Sequence, residues 1–131
     1  MSENNQNSNA FLMHLSSFGG YLFPFGSIVV PLIIWEIKKK DSEILDTTGK
    51  EVINFNLSYL IYSTVLVITM IMVGVNFIFD DVNPVSVFFI VSAAVLVGII
   101  SIIKFILIII GAVKANQGEI YRYPLTINFL K

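Results

Sequence analysis

No cysteine occurs anywhere in the 131 residues. That absence excludes disulfides, thiolate zinc sites, iron–sulfur clusters and cysteine nucleophiles. One histidine, His14, is too few for a multi-histidine metal centre within a single chain. Charge is scarce as well: 13% of residues are charged, about half the 25% or so of a soluble globular domain. A net charge of −1 with no basic cluster excludes a nucleic-acid partner. Phosphate-cradling glycine loops, HExxH and serine–histidine patterns are missing, so no catalytic residue, metal or cofactor is implied and no enzyme is expected.

What the chain has in excess is apolar side chains. They make up 56% of the residues and give a mean hydropathy of +0.83. A body this small has too much surface to hide them all from water, so the excess must face lipid. The expected fold class is all-α integral membrane. Three apolar stretches carry it, at about 10–37, 52–79 and 85–113. Each is long enough to cross a hydrocarbon core about 30 Å thick, which takes roughly 20 helical residues.

The first stretch, HLSSFGGYLFPFGSIVVPLIIW in its centre, is interrupted by Gly19, Gly20, Pro24, Gly26 and Pro31. A helix from about Ala10, a bend near Phe23 to Gly26 and a second segment to Ile37 are predicted. Two readings remain open: an ordinary kinked span, or a helix with a re-entrant segment. Residues 1–9 (MSENNQNSN) carry no Lys or Arg and read as a short disordered tail rather than a signal peptide. Residues 10–131 read as one transmembrane domain. Pro84 can start the third helix after an acidic turn at 80–84, and Gly118 reads as a helix stop.

Lys38, Lys39, Lys40 and Lys50 follow the first stretch, and Lys114, Arg122 and Lys131 follow the third. The N-terminal tail and the 80–84 turn have neither Lys nor Arg. With three spans, the positive-inside rule places the charged loop 36–51 and the C-terminus in the cytoplasm and the N-terminus outside. Were the first stretch re-entrant, the N-terminus would also be inside. Trp35, Tyr121 and Tyr123 read as headgroup-level anchors, and His14 as an interfacial polar residue. Residues 118–124 read as an ordered cap, with Arg122 in reach of the acids at 41–51.

Polar groups within the spans are the candidate site. At about 100° per residue, Glu51, Asn54, Ser58, Tyr62, Thr69 and Asn76 share one face of the second helix. Ser86, Ala93, Ser101, Lys104 and Gly111 share one face of the third. Small and hydroxyl residues suit close helix contacts, so the two stripes are expected to face each other. Lys104 lies ten residues, about 15 Å, before Lys114. At that depth a lysine needs partners or water. Tyr62 and Ser27 lie at matching depth, giving a candidate intramembrane polar network of Lys104, Tyr62, Ser58, Asn54 and Ser27. It either satisfies the lysine structurally or lines a polar path.

The phrases GKEVINFNLSYLIY and VKANQGEIYRYPLTINF, with the broken first stretch, resemble the domain-of-unknown-function 4870 family of small bacterial membrane proteins. That family is grouped with the Tic-twenty-like proteins of the chloroplast inner-envelope import machinery. The resemblance covers about 11–130 and implies a bacterial inner-membrane, multi-pass protein with no catalytic residues to carry over. The expected function is a non-enzymatic component or scaffold of a membrane assembly, partnered by the lipid bilayer and by itself or other membrane proteins. The alternative is a transporter or channel subunit, translocation-like by the resemblance, with a polar path at Lys104.

Overall fold

Ser42 starts the longest helix. Its hydroxyl accepts the Leu45 amide at 3.2 Å, Glu43 and Asp46 lie in the positive first turn, and α3 then runs unbroken from Glu43 to Phe79. The second long helix, α4 (Pro84–Asn116), is begun by Pro84, while Asn83 Oδ1 accepts the Ser86 amide at 2.9 Å. Gly118, with φ of +83°, stops it. The Glu119 amide bonds the Lys114 carbonyl and the Gly118 amide the Ala115 carbonyl, the paired closure that a left-handed residue permits. This computed structural model describes residues 2–79 and 83–131, the side chains of 76–79 excepted. The Asn76 side chain of the expected stripe and residues 80–82 of the acidic turn therefore lie outside what is described.

Before α3 come α1 (Glu3–Leu15), a 3-10 turn (Ser16–Tyr21) and α2 (Gly26–Lys38). Every described element is helical. Two corrections follow. Residues 3–9, expected as a disordered tail, form the first turns of α1. They are held because the same helix docks Ala10, Met13 and His14 into the interior, and because Asn7 lies against the Gly118 turn. The expectation of three main spans also fails. Among the described residues only α3 and α4 are long and apolar enough to cross a membrane. The first stretch breaks at Leu22 to Phe25, as its prolines and glycines predict. Each arm is then too short: α2 has 13 residues, about 20 Å of helix against a core of about 30 Å.

The chain divides into two compact units. The first comprises residues up to Ser58 together with Phe105 onward. Its core is Ala10, Met13, Leu45 and Ala115, with Ile34 and Trp35 packed against them. Trp35 Nε1 donates to Asp46 Oδ1 at 2.9 Å, Lys39 sits over its indole, and Gly49 leaves room for the ring on α3. This indole, expected as a headgroup anchor, thus ties α2 to the start of α3.

The second unit comprises residues 59–104. Along its helical segments Val65, Ile68, Ile71, Met72, Phe88, Phe89, Val91 and Ile102 are exposed, a surface suited to lipid rather than water. Two of its hydroxyls bond to their own helices. Thr69 Oγ1 donates to the Val65 carbonyl and Ser101 Oγ to the Val97 carbonyl, each one turn back.

Candidate functional site

On α3 the buried polar groups lie between Thr48 and Ser58, with Thr48 and Asn56 on one side of the helix and Asn54 and Ser58 together on another face. The latter face was legible as a stripe, but within this unit what its Asn54 and Ser58 bond is not α4. It is the C-terminal segment after Gly118, which runs back along α3 without regular secondary structure. Asn54 Oδ1 accepts the amides of Phe129 (3.1 Å) and Leu130 (2.9 Å), while its Nδ2 donates to the Leu130 carbonyl at 2.9 Å. Ser58 Oγ accepts the Ile127 amide and donates to the Asn54 carbonyl, both at 2.8 Å. Two side chains thus satisfy the backbone of an extended segment that has no strand to pair with. Ser58 is buried under Ile127.

Next to this strap is a buried pair the sequence did not announce. Tyr123 Oη lies 2.6 Å from His14 Nδ1, and the tyrosine ring stacks on Phe55 with centroids 3.8 Å apart. Burial pushes the Tyr123 hydroxyl above the usual tyrosine range, with Tyr121 and Glu51 adding to the shift. The phenol keeps its proton and is hydrogen-bonded to the imidazole. Gly111 of α4 makes the space, since a Cβ there would meet Tyr123 Oη at 2.6 Å and His14 Nδ1 at 2.7 Å. His14 and Tyr123 are therefore interior residues, not interfacial ones. Beside them Asn56 Nδ2 donates to Ser17 Oγ at 2.7 Å, joining α3 to the 3-10 turn.

The strap and the first turns of α3 enclose a cleft of about 410 Å3. Lys50, Arg122 and Lys131 supply cations, Glu51 one carboxylate, and Thr47, Thr126 and Asn128 neutral hydrogen-bonding groups. Lys50 is already paired with Asp46 at 2.6 Å. Arg122 thus comes to the acidic side of α3, opposite Glu51. The cleft can hold a polar or anionic group. No side chain in it is arranged as a nucleophile with an adjoining base.

Of the sequence-derived network, the structure brings together Asn54 and Ser58. Ser27 is half-buried at the crossing of α2 with the 3-10 turn, beside Gly20. Tyr62 is half-buried, its ring edge-on to Tyr59 at 6.0 Å. Lys104 is half-buried on α4, and among the described residues no carboxylate lies within ion-pair distance of it. His14, Ser17, Asn56 and Tyr123 were not singled out as a cluster by sequence reasoning. Tyr123 alone left a signal, in an aromatic segment read as an ordered cap.

The sequence model of the magnetosome magnetite crystal formation protein family matches residues 5–130. This overturns the resemblance to the domain-of-unknown-function 4870 and Tic-twenty-like family, and the translocation link drawn from it. No curated protein and no solved structure matches the chain.

Proposed function

The chain belongs to the magnetosome magnetite crystal formation protein family, and from that premise we propose that it acts as a non-enzymatic scaffold in the membrane around a growing magnetite crystal. The family match over residues 5–130 carries this reading. Two features support the scaffold part. Several buried polar side chains of the first unit hold backbone or one another, as Asn54, Ser58 and the His14–Tyr123 pair do, while Thr48 Oγ1 is buried without a hydrogen-bond partner among the described residues. The second unit offers broad apolar helix faces, suited to lipid and to neighbouring membrane proteins, a second copy included.

The charged loop 36–51 and the C-terminal strap lie on the cytoplasmic side of a bacterial membrane in this proposal. The clustering of Lys and Arg there supports the orientation.

The test is complementation in a magnetite-forming bacterium that lacks its own member of the family. The tagged protein is expected to fractionate with the crystal-bearing membranes and to restore crystal size in electron micrographs. Fractionation elsewhere with crystals unchanged overturns the proposal. Ion flux into reconstituted vesicles, lost on Lys104→Leu, would replace the scaffold with a transport role.

A further inference from the structure

The segment between the N-terminus and the charged loop has exposed side chains that fit neither water nor a protein core. At the turn after the 3-10 element, Tyr21, Leu22, Phe23 and Phe25 are exposed, Leu22 at 85%. Phe25 holds a left-handed φ of 63°, a conformation that suits glycine far better than an aromatic residue. A bulky ring kept in a strained position at an exposed tip implies that the ring itself has a use there.

Depth along α4 shows where this tip lies. Lys114 is at the charged end of that helix, paired with exposed Glu119. Phe105 precedes it by nine residues, about 14 Å of helix, or half of a core about 30 Å thick. Phe18 meets Phe105 with ring centroids 5.2 Å apart. The 3-10 turn therefore reaches the level of mid-membrane. From there α2 returns over 13 residues, about 20 Å at most, to Trp35 and the lysines. The other arm starts at the same end, because Asn7 of α1 lies against the Gly118 turn that follows α4. Down and back, the segment begins and finishes on one side.

Several backbone groups of the turn are bonded internally, which lowers their cost in lipid. Leu22 and Phe23 amides bond the Gly19 carbonyl, the Gly26 amide bonds Phe23, and Ile28 and Val29 bond Phe25. Gly19, Gly20, Gly26 and Ser27 let the two arms approach closely enough to pack as a pair. Beside them a groove of about 510 Å3 opens, lined by Leu15, Phe18, Tyr21, Leu22, Val30 and Phe105. Ile106 and Ile109, which follow Phe105 on α4, are exposed as well.

We propose that residues 10–38 form a re-entrant hairpin that enters and leaves the bilayer on one face, its tip at 21–25 lying among lipid acyl chains near mid-membrane. The occupant of the groove is an acyl chain of that leaflet. The proposal rests on α3 and α4 crossing the membrane, as the functional reading does. It places the N-terminus on the side of the charged loop and the C-terminus.

The absence of cysteine from the sequence makes the test direct. Single cysteines at exposed Asn5 and Lys40 are challenged with an impermeant thiol reagent in intact and in opened cells. Both are expected to label from the same side, and labelling from opposite sides overturns the hairpin. Leu22→Cys, with Phe25→Cys as a second site, then carries a fluorophore in phospholipid vesicles containing spin-labelled lipids. Quenching is expected to be strongest from labels deep in the acyl chain. Strongest quenching from the headgroup or from a water-soluble quencher overturns it. Ile68→Cys on α3 separates the two readings: no deep quenching there removes the membrane-spanning premise, whereas deep quenching at Ile68 with none at Leu22 and Phe25 removes the hairpin alone.

Discussion

The Tyr123 hydroxyl and His14 Nδ1 meet at 2.6 Å across 109 residues of chain. The bond links the first helix to the segment after the last one, inside the first unit. Removing one partner leaves the other buried and unsatisfied, a loss of about 1–3 kcal/mol. Tyr123→Phe keeps the stack on Phe55 and removes only the hydroxyl. The variant is expected to unfold earlier by that amount in detergent micelles, followed by circular dichroism against denaturant. Unchanged stability would mean that the hydrogen bond contributes nothing.

The same hydroxyl gives a pH dependence with a definite sign. Its folded-state pKa is raised by burial above the tyrosine value of about 10. The folded state thus holds the proton more tightly than the unfolded chain. The contribution is fully present below about pH 10 and declines as pH rises above it. The parent is expected to lose melting temperature more steeply than Tyr123→Phe between roughly pH 10 and 11. Parallel curves would contradict the burial of the phenol.

The strap makes a separate demand on Asn54. Its amide makes three hydrogen bonds to Phe129 and Leu130, whereas Ser58 makes one bond to Ile127. At about 1 kcal/mol per bond, Asn54→Ala is expected to free the strap more than Ser58→Ala. Amide exchange at Ile127, Phe129 and Leu130 should accelerate by at least about tenfold in Asn54→Ala, since about 1.4 kcal/mol corresponds to that factor. Equal and slow exchange in both variants would show that other contacts hold the segment.

These contacts mark the boundary of what the sequence could express. Pro84 starts α4 and Gly118 ends it as their chemistry requires, and the break at Leu22 to Phe25 follows from the surrounding glycines and proline. Such signals are local: one residue constrains its own backbone. The periodic stripe through Asn54 and Ser58 identified a face but not what covers it. A helix partner advertises itself by a second stripe, and α4 offered one. The extended strap that does the covering is bonded through its backbone, which leaves no side-chain pattern. His14 and Tyr123 had no mutual signal at all, because a single long-range hydrogen bond imposes no spacing on either. The apolar length of residues 10–37 suggested a span, since length alone does not register the reversal.

Lys104 permits a prediction that separates structure from function. It is half-buried on a helix whose composition suits lipid, with no ion-pair partner among the described residues. A lysine at such a depth costs about 2.5–3.5 kcal/mol on insertion scales. Lys104→Leu is expected to be at least as stable as the parent in micelles and to leave crystal size unaltered in the complementation assay. A stable variant that fails to complement would assign the lysine a functional role.

Glycines on α4 give the sharpest contrast, because the same substitution is expected to act with opposite sign. In a helix interior alanine is favoured over glycine by about 1 kcal/mol. At Gly98 nothing lies within 4 Å of where a Cβ would stand. Gly98→Ala is therefore expected to stabilise the helix by up to about 1 kcal/mol. At Gly111 the added methyl would stand 2.6 Å from Tyr123 Oη and 2.7 Å from His14 Nδ1. Neither neighbour is a free side-chain end: the two are hydrogen-bonded to each other, and Tyr123 is stacked on Phe55. Overpacking of this kind costs about 1–3 kcal/mol, to which the loss of the hydrogen bond adds about 1 kcal/mol. Together these exceed the gain in helix propensity, so Gly111→Ala is expected to destabilise by about 1–3 kcal/mol. In the double variant Gly111→Ala with Tyr123→Phe, the hydroxyl that the methyl meets is gone, and the combined loss should be smaller than the sum of the two single losses. Additive losses would place Tyr123 away from Gly111 and would undo the packing on which the interior of this unit depends.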